Sequence, residues 1–79
     1  MTEQELVSMI DQGIVRIATR EARFHLITRD PRFCSIEQAG AAMLGHVRCW
    51  CCTEAKWITV DPQAIVAHEA LNSNAVALG

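Results

Sequence analysis

Apolar residues along this chain recur first at helical spacing and then by strand-like alternation, and the same order then begins again. Thr2-x-x-Glu5 has the form of a capping box, and Leu6, Met9 and Ile10 follow on one helical face. After Gly13 come two runs rich in Val, Ile, Thr and aromatics, separated by a polar Thr-Arg-Glu-Ala, which predict a β-hairpin over roughly residues 14–28. Ser35-x-x-Gln38 is a second capping box, with Ile36, Ala39, Gly40, Met43 and Leu44 at helical spacing behind it. After Gly45 a second pair of strand-like runs predicts a hairpin over roughly residues 46–60. Asp61 then stands as an N-cap with Pro62 at the first helical position, which predicts a third helix through Ile65, His68 and Leu71. Gly13 and Gly45 sit where a left-handed residue would end each of the first two helices.

The segments 13–31 and 45–62 match one another. Each opens on Gly and an apolar Val-Arg, carries Glu-Ala-base-aromatic (Glu21 to Phe24, Glu54 to Trp57) and closes on Ile-Thr-x-Asp-Pro. This reads as an internal repeat within a single domain of residues 1–79. The expected fold is therefore α+β: an antiparallel sheet of about four strands from two hairpins, in the order α-ββ-α-ββ-α, with helices packed on one face.

Composition narrows this little. A core of this size supplies only about 3–5 kcal/mol. The net charge of −2 conceals an asymmetry, because residues 13–56 hold all seven bases against four acids. Six of the seven bases are arginine, whose planar fork suits carboxylate and phosphate. The start is polar and acidic, without a signal-peptide pattern, and the longest apolar run is too short to span a bilayer. A cytoplasmic setting follows as the expectation, with the cysteines reduced.

Three cysteines and a histidine crowd into residues 46–52. By strand alternation Val47, Cys49 and Cys51 face one way, and His46, Arg48, Trp50 and Cys52 the other. In the repeat Cys49 occupies the place of Ile17, so it reads as a small core hydrophobe. The sharper reading is zinc or thiol chemistry centred on Cys49-x-x-Cys52, completed by Cys34, His46 or His68. No second close pair and no glycine after Cys52 supports it, so neither a metal nor a cofactor is expected. Cys34, in the loop before the second helix, is the cysteine expected to be exposed and open to pairing between two copies of the chain.

No carboxylate pair, glycine-rich phosphate loop or paired nucleophile and base can be placed from spacing, so no catalytic residue is assigned and an enzyme is not expected. The arginines offer more. Arg16 and Arg48 hold matching repeat positions, Trp50 shares the face of Arg48, and Arg20 and Arg23 lie at the first hairpin turn. Arg and Trp dominate binding hot spots, which makes these five the candidate partner-binding residues. Too few aromatics are in view for base stacking, so nucleic acid is not expected as a direct ligand.

In size, single-domain α+β build, near-neutral charge and lack of catalytic residues, the chain resembles small phage-encoded inhibitors, anti-CRISPR proteins in particular. That resemblance is one of whole-chain character and carries no residue pattern. It implies a non-catalytic protein that binds a bacterial defence effector complex stoichiometrically and blocks it in the bacterial cytoplasm. No membrane partner is expected from the short apolar runs, and Cys34 leaves room for a homodimer. The readings set against it are a small zinc- or thiol-dependent regulator and a nucleic-acid-binding module.

Overall fold

The computed structural model describes residues 1–21, 24–34 and 45–71. The helix predicted from the first capping box is present as α1 (Glu3–Asp11). The Thr2 Oγ1 accepts the Glu5 N–H at 3.1 Å and donates to the Glu5 carboxylate at 3.1 Å, holding the first turn closed. Leu6 and Ile10 are the residues α1 buries. The two hairpins follow as β1 (Ile14–Thr19) with β2 (Phe24–Thr28), and β3 (Val47–Cys51) with β4 (Lys56–Val60).

The expected α-ββ-α-ββ-α order is wrong. Among the described residues there is one α-helix, and a fifth strand, β5 (Ile65–Leu71), stands where the third helix was predicted. Asp61 does cap, its Oδ1 accepting the Gln63 N–H at 2.9 Å with Pro62 behind it. The helix it starts is a single 3₁₀ turn, Pro62–Ala64, and the chain extends at Ile65. Two forces favour extension. Ile65-Val66 is a β-branched pair that suits a strand. The free edge of β1 also needs partners for its backbone groups, and β5 supplies them from Ile14↔Leu71 to Thr19↔Ile65. The second predicted helix, with Ser35 and Gln38, lies outside the described residues.

The five strands make one antiparallel sheet in the order β4-β3-β2-β1-β5. Its outer strands are consecutive in sequence and joined by only Asp61–Ala64. Laid flat, the sheet would separate them by about 19 Å. A connector with one 3₁₀ turn reaches only about 13 Å, so the sheet must curl until its opposite edges approach. The Arg20 N–H donates to Ala64 O at 3.1 Å, where this closure meets the end of β1. Inside the curl, Leu6 and Ile10 of α1 pack with Val15, Ile17, Ile27, Val47, Cys49 and Val60.

The two hairpins pair in equivalent register. Val15↔Ile27, Arg16↔Leu26, Ile17↔His25 and Ala18↔Phe24 correspond to Val47↔Val60, Arg48↔Thr59, Cys49↔Ile58 and Trp50↔Trp57. The aromatics Phe24 and Trp57 therefore occupy the same place, while the two Ile-Thr pairs fall two residues out of step. Gly45 has the left-handed φ of 81° that its position suggested, but Gly13 does not, and α1 ends on a right-handed Gln12.

Candidate functional site

Directly paired residues of an antiparallel sheet share a face. Arg16, Ala18, Phe24 and Leu26 therefore lie together, opposite the face that buries Val15, Ile17 and Ile27. Arg48, Trp50, Trp57 and Thr59 form the same set in the second hairpin, and Thr28↔Trp50 joins the two sets across the sheet. α1 packs Leu6 and Ile10 on the inner face, while on the outer one the end of α1 meets Thr28, which is fully buried there, and Arg16 and Phe24 stay exposed.

The outer face is built from the same pairing twice. The Arg16 guanidinium lies 5.0 Å from the centre of the Phe24 ring, and that of Arg48 lies 5.9 Å from Trp57. Each arginine reaches the aromatic one step along the partner strand, the diagonal neighbour on its own face. Trp50 meets Trp57 edge to face, ring centres 5.8 Å apart at 72°. Phe24 is 63% exposed, Arg16 is exposed, and Leu26, Arg48, Trp50 and Trp57 are half-buried. Glu69 of β5 stands opposite Arg16 at the rim.

Of the five residues predicted from sequence, the structure brings Arg16, Arg48 and Trp50 onto this face. Arg20 belongs elsewhere: its guanidinium donates to Gln63 O at 3.3 Å, which ties it to the connector before β5. Arg23 lies outside the described residues. Sequence reasoning missed Phe24 and Trp57 as partners of the arginines, although both stood in the repeated base-aromatic signal.

The cysteines separate as alternation requires. Cys49 is fully buried in the core cluster, and burial pushes its thiol up to about 12. Cys52 lies beyond the end of β3, half-buried, and is raised by burial and then by Cys51. Among the described residues, the three possible ligands whose atoms lie within 4.8 Å of one another do not include Cys49 or Cys52. Cys34, expected to be exposed, is half-buried, and its Sγ donates to Asp30 O at 3.5 Å.

A different cluster forms where the hairpins meet. Ile27↔Cys51 pairing sets the end of β3 beside β2, and the Cys51 Sγ comes 3.7 Å from His25 Nδ1. The β3–β4 turn is fastened to β2 at this point. The Cys52 N–H donates to Leu26 O at 2.7 Å, and the Leu26 N–H donates to Thr53 Oγ1 at 3.2 Å. That attachment carries Glu54 to the same place, so that a ligand atom from each of His25, Cys51 and Glu54 lies within 4.8 Å of the others. No local spacing announced this trio, because its members come from two hairpins.

His25 also lines an open cleft of about 450 Å³ between the end of β1 and the end of β4, with Arg20, His46, Thr59 and Asp61. Among the described residues, no helix is long and apolar enough to cross a membrane. Compared with family models, with curated proteins and with solved structures, the chain matches none.

Proposed function

We propose that this chain is a non-catalytic protein-binding module of the stoichiometric-inhibitor type, with the outer sheet face as its contact surface. The observation that carries this reading is the duplicated arginine–aromatic stack on the sheet face opposite the one that packs Leu6 and Ile10, with Arg16 and Phe24 exposed and Arg48 and Trp57 half-buried. Aromatic and arginine side chains concentrate binding energy when a partner excludes water from them. Stacking on Phe24 and Trp57 also orders both guanidinium groups before any partner arrives, which lowers the entropy lost on binding. The chemistry fits a protein surface that offers carboxylates around an apolar centre. A bacterial effector complex, of the kind blocked by the small phage inhibitors the chain resembles, is the partner class proposed, in the cytoplasm of the bacterial host.

The test is capture from nuclease-treated bacterial lysate on the immobilised protein, followed by measured affinity for the captured partner. Arg16→Gln, Arg48→Gln and Trp50→Ala are the informative variants, since glutamine avoids a new repulsion between residue 16 and Glu69. Affinity should fall by about tenfold or more in each, the effect of losing a hot-spot residue. Stability should stay within about 1 kcal/mol for the two arginine variants. A partner bound equally well by all three variants would overturn the assignment of this face. So would tight binding to single-stranded oligonucleotides with steep salt dependence, the mark of released counterions.

A further inference from the structure

We infer that His25, Cys51 and Glu54 form a three-ligand site for a zinc-type divalent ion. This goes beyond the partner-binding reading and stands apart from the arginine face. The donor set is one thiol, one imidazole and one carboxylate, the mixture zinc accepts readily and hard cations do not. The geometry is close to what an ion needs. With zinc–sulfur near 2.3 Å and zinc–nitrogen near 2.0–2.1 Å, a tetrahedral edge between the two donors is about 3.6 Å. Cys51 Sγ and His25 Nδ1 already stand 3.7 Å apart. The remaining separations are at most 4.8 Å, and Glu54 is an exposed side chain that can close the difference by turning.

The scaffold around the trio is fixed where it matters. Cys51 is buried at the end of β3, His25 is half-buried on β2, and the backbone bonds from Cys52 and to Thr53 hold the turn against Leu26. Among the described residues, Glu54 is paired with the Lys56 ammonium at 3.9 Å, and both groups are open to solvent. An exposed pair of that kind contributes little, so an ion can take the carboxylate from it. Three protein ligands leave a fourth position for water or an incoming group, as in open zinc sites. His25 also borders the 450 Å³ cleft, which gives that position a route to solvent.

The experiment uses the full chain, reduced and stripped of metal, titrated with Zn²⁺ against a competing chelator and separately with Co²⁺. One ion per chain is expected, with cobalt showing tetrahedral ligand-field bands and a thiolate charge-transfer band. His25→Gln and Glu54→Gln should each lower zinc affinity by at least about tenfold. Glu54→Gln tests the site even if variants at buried Cys51 fail to fold, because Glu54 is exposed. Cys34→Ser and Cys52→Ser should leave the affinity unchanged. The inference is overturned if the wild-type chain binds no stoichiometric zinc, in which case the 3.7 Å approach is a thiol–imidazole hydrogen bond alone. It is equally overturned if binding is indifferent to both His25→Gln and Glu54→Gln, or is lost in Cys34→Ser or Cys52→Ser.

Discussion

Thr28 shows how one hydroxyl can hold the junction of helix and sheet. It is fully buried at the end of β2, and its Oγ1 donates to Gly13 O at 2.6 Å with Ile10 O beside it at 3.1 Å. The same oxygen accepts the Asp30 N–H at 2.9 Å, so the end of α1, the start of β1 and the loop after β2 converge on it. Valine has nearly the same shape but can satisfy none of these groups. Thr28→Val should therefore cost about 1–3 kcal/mol, the range for leaving buried polar groups without partners. Urea denaturation checks this, and a change under 0.5 kcal/mol, the scatter of an ordinary surface substitution, would show that the junction does not depend on the hydroxyl.

At the level of elements, the loop after β2 carries a pH dependence. Asp30 is buried at 4% exposure; its carboxylate accepts the Arg32 Nε–H at 2.8 Å and the Arg32 backbone N–H at 2.9 Å. The Arg32 side chain first, and its backbone N–H second, hold the Asp30 carboxyl below the usual carboxylate range. A depressed folded-state pKa means that this stabilisation is present above the unfolded value, near 3.9, and disappears as pH falls through the folded one. Thermal unfolding followed downward from pH 6 should show a loss of stability in the acid range that Asp30→Asn partly removes. Identical acid profiles for the two proteins would exclude the linkage. Elements also mark what the sequence could convey. Both hairpins and α1 were legible, since capping boxes and β-branched runs act over a few residues. The arginine face was half legible: the repeat placed Arg16 beside Arg48, but the stacks on Phe24 and Trp57 depend on cross-strand register. β5 was misread because Asp61 and Pro62 are a sound helix start, and only the unpaired edge of β1, remote in sequence, decides against it. His25, Cys51 and Glu54 were invisible for the same reason, since β2–β3 pairing creates the trio.

For the whole molecule, the strand order sets a gradient of protection. β1 is paired on both sides, by β2 and by β5, and its Val15 and Ile17 are fully buried. Among the described strands β4 and β5 are the outer ones, and β5 buries almost none of its side chains. Amide hydrogen exchange should therefore be slowest in Ile14–Thr19 and fastest, among strand residues, in the outward-facing amides of β5. Protection of β5 equal to that of β1 in the isolated chain would mean that its outer edge is engaged by something more than this sheet, such as a second copy.

The Asp61–Ala64 connector, described above as the reason the sheet curls, also sets the order of events during synthesis. β5 is the last described strand to leave the ribosome, yet it completes the pairing of the first. Until Ile65–Leu71 has emerged, β1 presents a row of unpaired N–H and C=O groups, a template for any neighbouring nascent chain. A chain interrupted before residue 65 would thus keep most of its core residues and lose its closure. Such fragments should accumulate as aggregates, so that soluble yield depends on the final strand more than its few buried side chains suggest.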